Sequence, residues 1–309
     1  MNRPKISIVG SYAAGLTMKT DRFPTNGETL LGHDFVYMHG GKGSNQAIAC
    51  ARHNTDVFLI TCVGKDSYGE AALKLWKDES INIDSVKISP FSPTGAGFIM
   101  VDQNGDNEIL VDLGANNDLD VTHIRQCRNV ILESDVLIMQ LEIPLLTVRE
   151  ALLTAQENHV LSILNPAPWQ TLPKDILKNC SLITPNETEA KLMLGLAADK
   201  EIEISVLADR LLHAGLRAFV ITLGSKGSFV VTKRCRELVP AFSVSAIDTT
   251  GAGDIFTASL GAALADKASL KEAVLFASAA SALSVTKYGV VDSIPTFEET
   301  KKFLKQHSG

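Results

Sequence analysis

Short apolar runs alternate with amphipathic stretches along most of the chain. The first run, Ile6 to Val9, stops at Gly10-Ser11, as a buried strand stops at a loop. Val57 to Val63 ends the same way at Gly64. Val136 to Leu141, Val160 to Leu164, Leu182 to Thr184 and Phe219 to Leu223 continue the series. Between them lie stretches of helical length and period: Gly69 to Glu79, Leu145 to Glu157, Thr188 to Leu194 and Ile204 to Ala214. Strands alternating with helices predict βαβ units and an α/β fold with a largely parallel sheet. Ligands of such sheets bind beyond the carboxyl ends of the strands.

Two regions break the alternation. Residues 28–38 and 94–113 carry short β-like patterns with no helix between them. In the second, Gly97 to Val101 and Glu108 to Val111 flank a turn signal at Asn104-Gly105. These pieces predict a small antiparallel sheet, either a flap over the strand ends that excludes water or a peripheral hairpin. Further on, Phe242 to Ile247 reads as a strand, and Gly251 to Ala265 and Glu272 to Val285 as helices with long faces of small residues.

Composition narrows the class. At roughly 150 residues per domain, the 309 residues would make about two domains, yet α/β folds of this size often form one unit. A single domain over 1–309 is expected, with flap segments at about 11–39 and 94–113. Hydrophobic residues are 45% and charged residues 21%, enough apolar content for a sizeable core. The net charge of −6 argues against a broad nucleic-acid surface, although an anionic substrate needs only a local positive site. Five cysteines without a C-x-x-C pair argue against a disulfide framework or zinc knuckle and favour reduced thiols in the cytoplasm. No apolar stretch approaches the roughly 18 residues of a membrane span, and the N-terminal run is too short for a secretory segment.

Four segments carry candidate chemistry. Asp248-Thr249-Thr250-Gly251-Ala252-Gly253-Asp254 opens the first small-faced helix. Its glycines would leave backbone N–H groups at a helix N-terminus, an anion site. Asp254 there would repel a phosphate unless it serves as general base for an attacking hydroxyl; the plain alternative is a helix cap. Gly40-Gly41-Lys42-Gly43-Ser44-Asn45-Gln46-Ala47 leads into a helix from Asn45 to Arg52 and is not a P-loop. Lys42 and Asn45 suit a polyol or phosphate, against a tight structural turn. Thr184-Pro185-Asn186-Glu187-Thr188-Glu189 offers Asn186 and Glu189 to a hydrated Mg²⁺, or a cap with an acidic first turn. Thr222-Leu223-Gly224-Ser225-Lys226-Gly227 admits a nucleotide close to the backbone, or forms a hairpin turn. The seven histidines show no metal-ligand spacing.

The order of these segments adds what none supplies alone. With Met-Gln-Leu-Glu at 139–142 and Asn-Pro-Ala-Pro at 165–168, the chain resembles the ribokinase-like, or pfkB, carbohydrate kinases from about residue 5 to 305. The resemblance implies a doubly wound α/β domain with a β-sheet lid, and ATP-dependent phosphorylation of a hydroxymethyl group. By position it implies Asp254 as catalytic base and Gly251, Ala252 and Gly253 as anion hole. It implies that Asn186 and Glu189 organise Mg²⁺ and the phosphates, and that Thr222, Gly224 and Gly227 form the nucleotide loop. Gly41, Lys42, Asn45 and Glu142 match sugar contacts. Asp248, Thr250, Ser284, Lys287, Gly289 and Ser293 match a K⁺ site built largely of backbone carbonyls. A homodimer through the lid is implied as well.

One departure stands out. Members of this family usually carry Asn-x-Asp after the first strand, and that Asp grips sugar hydroxyls. Here Ala13 and Gly15 occupy those places. Losing one charge-assisted hydrogen bond of roughly 1.5–3 kcal/mol lowers affinity about ten- to a hundredfold. Free ribose is therefore expected to be a poor acceptor, with Tyr12 and His39 as candidate replacements. Three readings follow: a kinase for a sugar or sugar-like alcohol, a nucleoside kinase with Tyr12, His39 and Val111 walling the base, or a binding regulator that has lost catalysis. A dinucleotide enzyme is disfavoured, because Gly10-Ser11-Tyr12-Ala13 lacks the G-x-G-x-x-G fingerprint.

Overall fold

The computed structural model describes residues 3–307. The strands, in chain order, are β1 (Lys5–Val9), β2 (Ala13–Lys19), β3 (His33–Gly40), β4 (Asp56–Ile60) and β5 (Cys62–Gly64). Next come β6 (Lys87–Ser89), β7 (Ala96–Val101), β8 (Asn107–Asp112), β9 (Val136–Met139) and β10 (Leu161–Leu164). The series closes with β11 (Leu182–Ile183), β12 (Ala218–Thr222), β13 (Ser228–Thr232) and β14 (Arg236–Val239).

Eight strands form the main sheet, in the order β14-β13-β12-β11-β10-β9-β1-β4. Pairing is parallel from β4 to β12 and antiparallel across β12-β13-β14. Apolar side chains alternate between the two faces. Val136 and Ile138 of β9 enter one core, Leu137 and Met139 the other. Helices Lys42–Arg52, Ala252–Ala265 and Leu270–Ser284 cover the first face. Helices Leu145–Glu157 and Ile204–His213 cover the second. The small residues of Ala252–Ala265 let it lie close on the sheet: a Cβ on Gly261 would stand 2.7 Å from Ile138 Cδ1. The chain passes from β1 to β4 on one side, then returns to β9 on the other. β1 and β9 therefore flank a topological switch point, where doubly wound folds open a crevice.

A second sheet has the order β3-β2-β7-β8. It departs from the expected all-antiparallel arrangement: β2 and β7 run parallel, from Ala14 opposite Ala96 to Lys19 opposite Val101. Some 75 residues, including β3 and part of the body, separate the two strands in sequence, so no hairpin constrains them. The Asn104-Gly105 turn does close the antiparallel pair β7-β8.

Other boundaries move for local reasons. Val57 to Val63 is not one strand; it breaks at Thr61, and β5 pairs with β6 outside the main sheet. The helix expected from Asn45 starts at Lys42, with Gly41 at its N-cap. The helix expected from Glu272 starts at Leu270, because Ser269 and Glu272 form a capping box. Phe242 to Ile247 forms no strand. Phe242 packs instead on Phe303 of helix Phe297–His307, ring centroids 5.3 Å apart. All five cysteines are free; Cys235 is exposed and the other four are buried. Among the described residues no helix is long and apolar enough to cross a membrane.

Candidate active site

The chemistry-bearing loops gather at the carboxyl ends of the parallel strands. Ser11 follows β1, Gln140 and Glu142 follow β9, Asn165 follows β10, Asn186 follows β11 and Gly224 follows β12. Opposite them, helix Ala252–Ala265 starts at Gly251, whose φ of 76° is left-handed and needs glycine; a Cβ there would also meet Val290 Cγ1 at 2.5 Å.

Asp254 sits in the first turn of this helix and is 5% exposed. It does not cap the helix, whose N-cap is Gly251 with no side-chain cap bond. Its carboxylate turns to helix Lys42–Arg52 instead. Asn45 Nδ2 donates to Oδ2 at 3.0 Å, and Gln46 Nε2 donates to Oδ1 at 3.1 Å. Ile255 N–H donates the first helical bond, to Gly251 O. The N–H groups of Ala252, Gly253 and Asp254 thus precede the ladder, as in any helix start. Ala252 spends its N–H on Thr249 O at 3.2 Å, so it contributes less to an anion hole than its neighbours.

Lys42 completes the charge pattern. The Asp254 carboxylate raises its ammonium above the ordinary lysine value; burial opposes this, and Glu142 and Glu189 add to it. Burial pushes Glu189 above the usual carboxylate range, against the pull of Asn186 N–H and Lys42. One ammonium thus feels three carboxylates brought from two helix starts and a loop. A site of that kind, with Asp254 buried and the other three groups half-buried, is suited to proton transfer and to anion binding.

The glycine segment is held from below. Glu142 Oε2 accepts from Ser11 Oγ at 2.5 Å and from Lys42 N–H at 3.0 Å. Gly41 has φ 87°, and a Cβ there would lie 2.4 Å from Tyr12 Cα, so the turn requires glycine. Asn45 Oδ1 is buried and unpartnered within the chain. A buried amide oxygen without a donor suits an acceptor hydroxyl.

Tyr12 and His39 are paired with each other at the base of the small sheet. Tyr12 is 0% exposed, edge-on to Trp76, and its hydroxyl lies 2.8 Å from His39 Nδ1 and 3.0 Å from Tyr37 Oη. Burial lowers the His39 pKa, which favours the neutral ring. Tyr37 stacks on Tyr68 at 5.6 Å, joining the small sheet to the body. Val111 is exposed on β8. Ala13 and Gly15 pair with Gly40 and Met38 of β3, on one face of β2.

A cavity of about 420 Å³ opens beside the helix start. Thr222, Gly224, Gly227, Phe242, Gly253 and Ser281 are among its walls. This volume and its glycine-rich wall fit a nucleotide. Asn186 and Glu189 are not among its walls, although Asn186 bridges to the wall residue Thr222. They form a capping box on helix Glu187–Leu192, with Glu189 N–H donating to Asn186 Oδ1 at 2.7 Å and Asn186 N–H to Glu189 Oε2 at 2.8 Å. Among the described residues no three His, Cys, Asp or Glu side chains cluster for a metal. Hard oxygen donors few in number fit a hydrated Mg²⁺ that shares phosphate oxygens better than an all-protein cage.

The six residues matched to a K⁺ site converge in part. Ile247 N–H and Asp248 N–H both donate to Val285 O, and Asp248 Oδ2 accepts from Gly289 N–H at 3.2 Å. Asp248 Oδ1 accepts from Thr250 N–H. Ser284 and Ser293 turn their hydroxyls to local carbonyls, Ser281 O and Val290 O. The Lys287 ammonium points to Glu299, 4.0 Å away. The side chains of Asp248, Ser284, Ser293 and Lys287 thus all make local contacts.

Sequence reasoning assigned nothing to Ser11, Gln46, Gln140 or Asn165. Three of them lie inside segments already singled out, Gly40–Ala47, 139–142 and 165–168. Their amides have no periodic signal; only their partners across the fold identify them.

A buried carboxylate with amide donors at a glycine-started helix, beside a nucleotide-sized cavity walled by that helix start and the loop after β12, fits a small-molecule kinase of the α/β class. The chain belongs to the pfkB family of carbohydrate kinases, whose model matches residues 3–297. It is 40% identical over 304 residues to a ribokinase of Haemophilus influenzae, covering 98% of this chain and 99% of that protein. It is 34% identical over 304 residues to a deoxyribokinase of Salmonella typhi, covering 97% and 98%. The structure of Arabidopsis thaliana ribokinase complexed with ribose and ATP superposes with a TM-score of 0.93 at 27% identity, covering 99% of each chain. The protein is therefore a kinase that acts on a sugar alcohol group.

Proposed function

We propose that this chain transfers the γ-phosphoryl group of ATP to a hydroxymethyl group of a sugar or sugar-like acceptor and is not optimised for free ribose. The observation that carries the reading is a contrast within one site: Asp254 keeps two amide donors, whereas Ala13 and Gly15 offer no polar side chain. A deoxyribokinase among the relatives is consistent with an acceptor carrying fewer hydroxyls.

Phosphoryl transfer asks chiefly for in-line positioning and charge neutralisation. The acceptor hydroxyl would lie against Asp254, which takes its proton as the new P–O bond forms and the bond to ADP breaks. Asn45 Oδ1 and Glu142 would orient the acceptor. Lys42 and the N–H groups of Gly253 and Asp254 would face the developing negative charge. Asn186 and Glu189 would hold Mg²⁺, which when bound neutralises phosphate charge. Main-chain oxygens of 248–250 and 284–293 would hold K⁺, which when bound adds positive field near the anion hole. The four-stranded sheet would act as lid, and its exposed Phe35, Ile109, Leu110 and Val111 support a homodimer through this sheet. One domain would then span 1–309.

The nucleotide side makes its own prediction. Nothing lies within 4 Å of a Cβ placed on Gly253, which lines the cavity. Gly253→Ala should keep or slightly raise Tm, because alanine favours a helix by about 1 kcal/mol. It should raise the KM for ATP about tenfold by intruding on the phosphates. Steady-state kinetics beside a thermal melt check both halves.

The acceptor is tested by ADP release with Mg-ATP and K⁺ across pentoses, hexoses, deoxysugars, polyols and nucleosides. One acceptor well above the ATPase background, with ribose weak, is the expected result. Strong ribose turnover would mean that Lys42, Asn45 and Glu142 suffice, and the acceptor reading would fall. Turnover of nucleosides alone would move the assignment to a nucleoside kinase.

A further inference from the structure

We infer that Gln46 is a positioning residue for Asp254, with its amide oriented by Gln140 and Asn165; this rests on the reading of Asp254 as base. Gln46 and Gln140 are fully buried and Asn165 nearly so. Gln46 has two amide hydrogens and one amide oxygen, and all three are used. Nε2 donates to Asp254 Oδ1 at 3.1 Å and to Asn165 Oδ1 at 3.3 Å. Oε1 accepts from Gln140 Nε2 at 2.5 Å.

A glutamine amide has nearly the same shape either way round, so its partners decide its direction. Turned over, Gln46 would set an oxygen against two oxygens. Asn165 cannot turn to relieve this, because its Nδ2 donates to Thr184 O at 3.1 Å, and a backbone carbonyl only accepts. Gln140 supplies the remaining donor. Its own Oε1 is buried with no partner, so the side chain keeps an unsatisfied oxygen in order to place its nitrogen. Gly10 makes room for it: a Cβ on Gly10 would stand 2.0 Å from Gln140 Oε1.

The relay spans four elements. Gln140 and Asn165 follow the adjacent strands β9 and β10, Gln46 lies on helix Lys42–Arg52, and Asp254 on helix Ala252–Ala265. Asn45 and Gln46 are consecutive, and each holds a different oxygen of the carboxylate. The carboxylate is thereby fixed in tilt as well as in place. Misplacing a reacting group by about 1 Å can cost on the order of a hundredfold in rate.

The test compares Gln46→Met, Gln140→Met, their double variant and Asp254→Asn, using the best acceptor of the panel above. Gln46→Met should lower kcat about ten- to a hundredfold, with KM for ATP and acceptor within about threefold of the parent. Gln140→Met touches Asp254 nowhere, yet should lower kcat in the same direction by a smaller factor. The double variant should be no slower than Gln46→Met alone, since Gln140 acts through Gln46. A purely structural role would lower Tm and leave kcat unchanged. A Gln46→Met enzyme with parental kcat, a loss confined to KM, or multiplicative losses in the double variant would each overturn the inference. Where Gln46→Met does not fold, Gln140→Met decides alone, and parental kcat there overturns it. An active Asp254→Asn would overturn the base assignment instead, so the two failures are distinguishable.

Discussion

Asp254→Asn should lower kcat by about 10²- to 10⁴-fold, the range that a positioned general base supplies. The volume is unchanged, so the protein should fold and still bind ATP. What changes is polarity. Asn45 Nδ2 and Gln46 Nε2 both donate to the carboxylate, and an amide has only one oxygen to receive them. One donor loses its acceptor, at a cost of about 1–3 kcal/mol for a buried group. A fall in Tm of a few degrees is therefore expected beside a far larger fall in turnover. Lys42 also loses the carboxylate that most raises its pKa. Single-turnover kinetics with Mg-ATP, together with nucleotide binding by calorimetry, separate chemistry from binding. Parental turnover in a folded, ATP-binding variant would remove Asp254 from the mechanism.

The second large effect concerns the acceptor. Ala13→Asn with Gly15→Asp should raise kcat/KM for ribose about ten- to a hundredfold, the worth of one charge-assisted hydrogen bond of roughly 1.5–3 kcal/mol. The fold permits the change. Gly15 is in extended strand β2, and a Cβ on it would meet Met38 O at 3.4 Å and Met38 Cβ at 3.8 Å, ordinary contact distances. Ala13 and Gly15 share one face of the strand, so the new side chains would act together. Turnover of the protein's preferred acceptor should fall at the same time, because a carboxylate would occupy its space. Unchanged ribose kinetics in a folded double variant would show that this strand does not govern acceptor choice.

Both predictions begin from residues that the chain itself makes visible. Asp254 stands in a glycine-framed heptapeptide, and the Ala13/Gly15 change is legible against the usual family pattern. The buried strands and most helices were equally legible, because local periodicity records which face of an element meets the core. Gly41 was legible as part of a candidate tight turn and Gly251 as the start of a helix.

What the chain does not display is the identity of distant partners. Gln46 and Asp254 are 208 residues apart, and no local pattern marks an amide that meets a carboxylate across that distance. Whether Tyr12 faces a ligand or the core depended on Trp76, Tyr37 and His39 closing around it. Asn186 and Glu189 became a capping box through the local start of their helix. Phe242 to Ile247 has the composition of a strand, but Phe242 meets the distant Phe303 and Ile247 N–H is taken by Val285 O. The parallel run of β2 beside β7 pairs strands some 75 residues apart that no hairpin constrains. Class, order of elements and the candidate base came from sequence because they rest on local burial and backbone freedom. The aim of each buried polar side chain was left to the tertiary structure, because a hydrogen bond is decided by the partner that packing brings within about 3 Å.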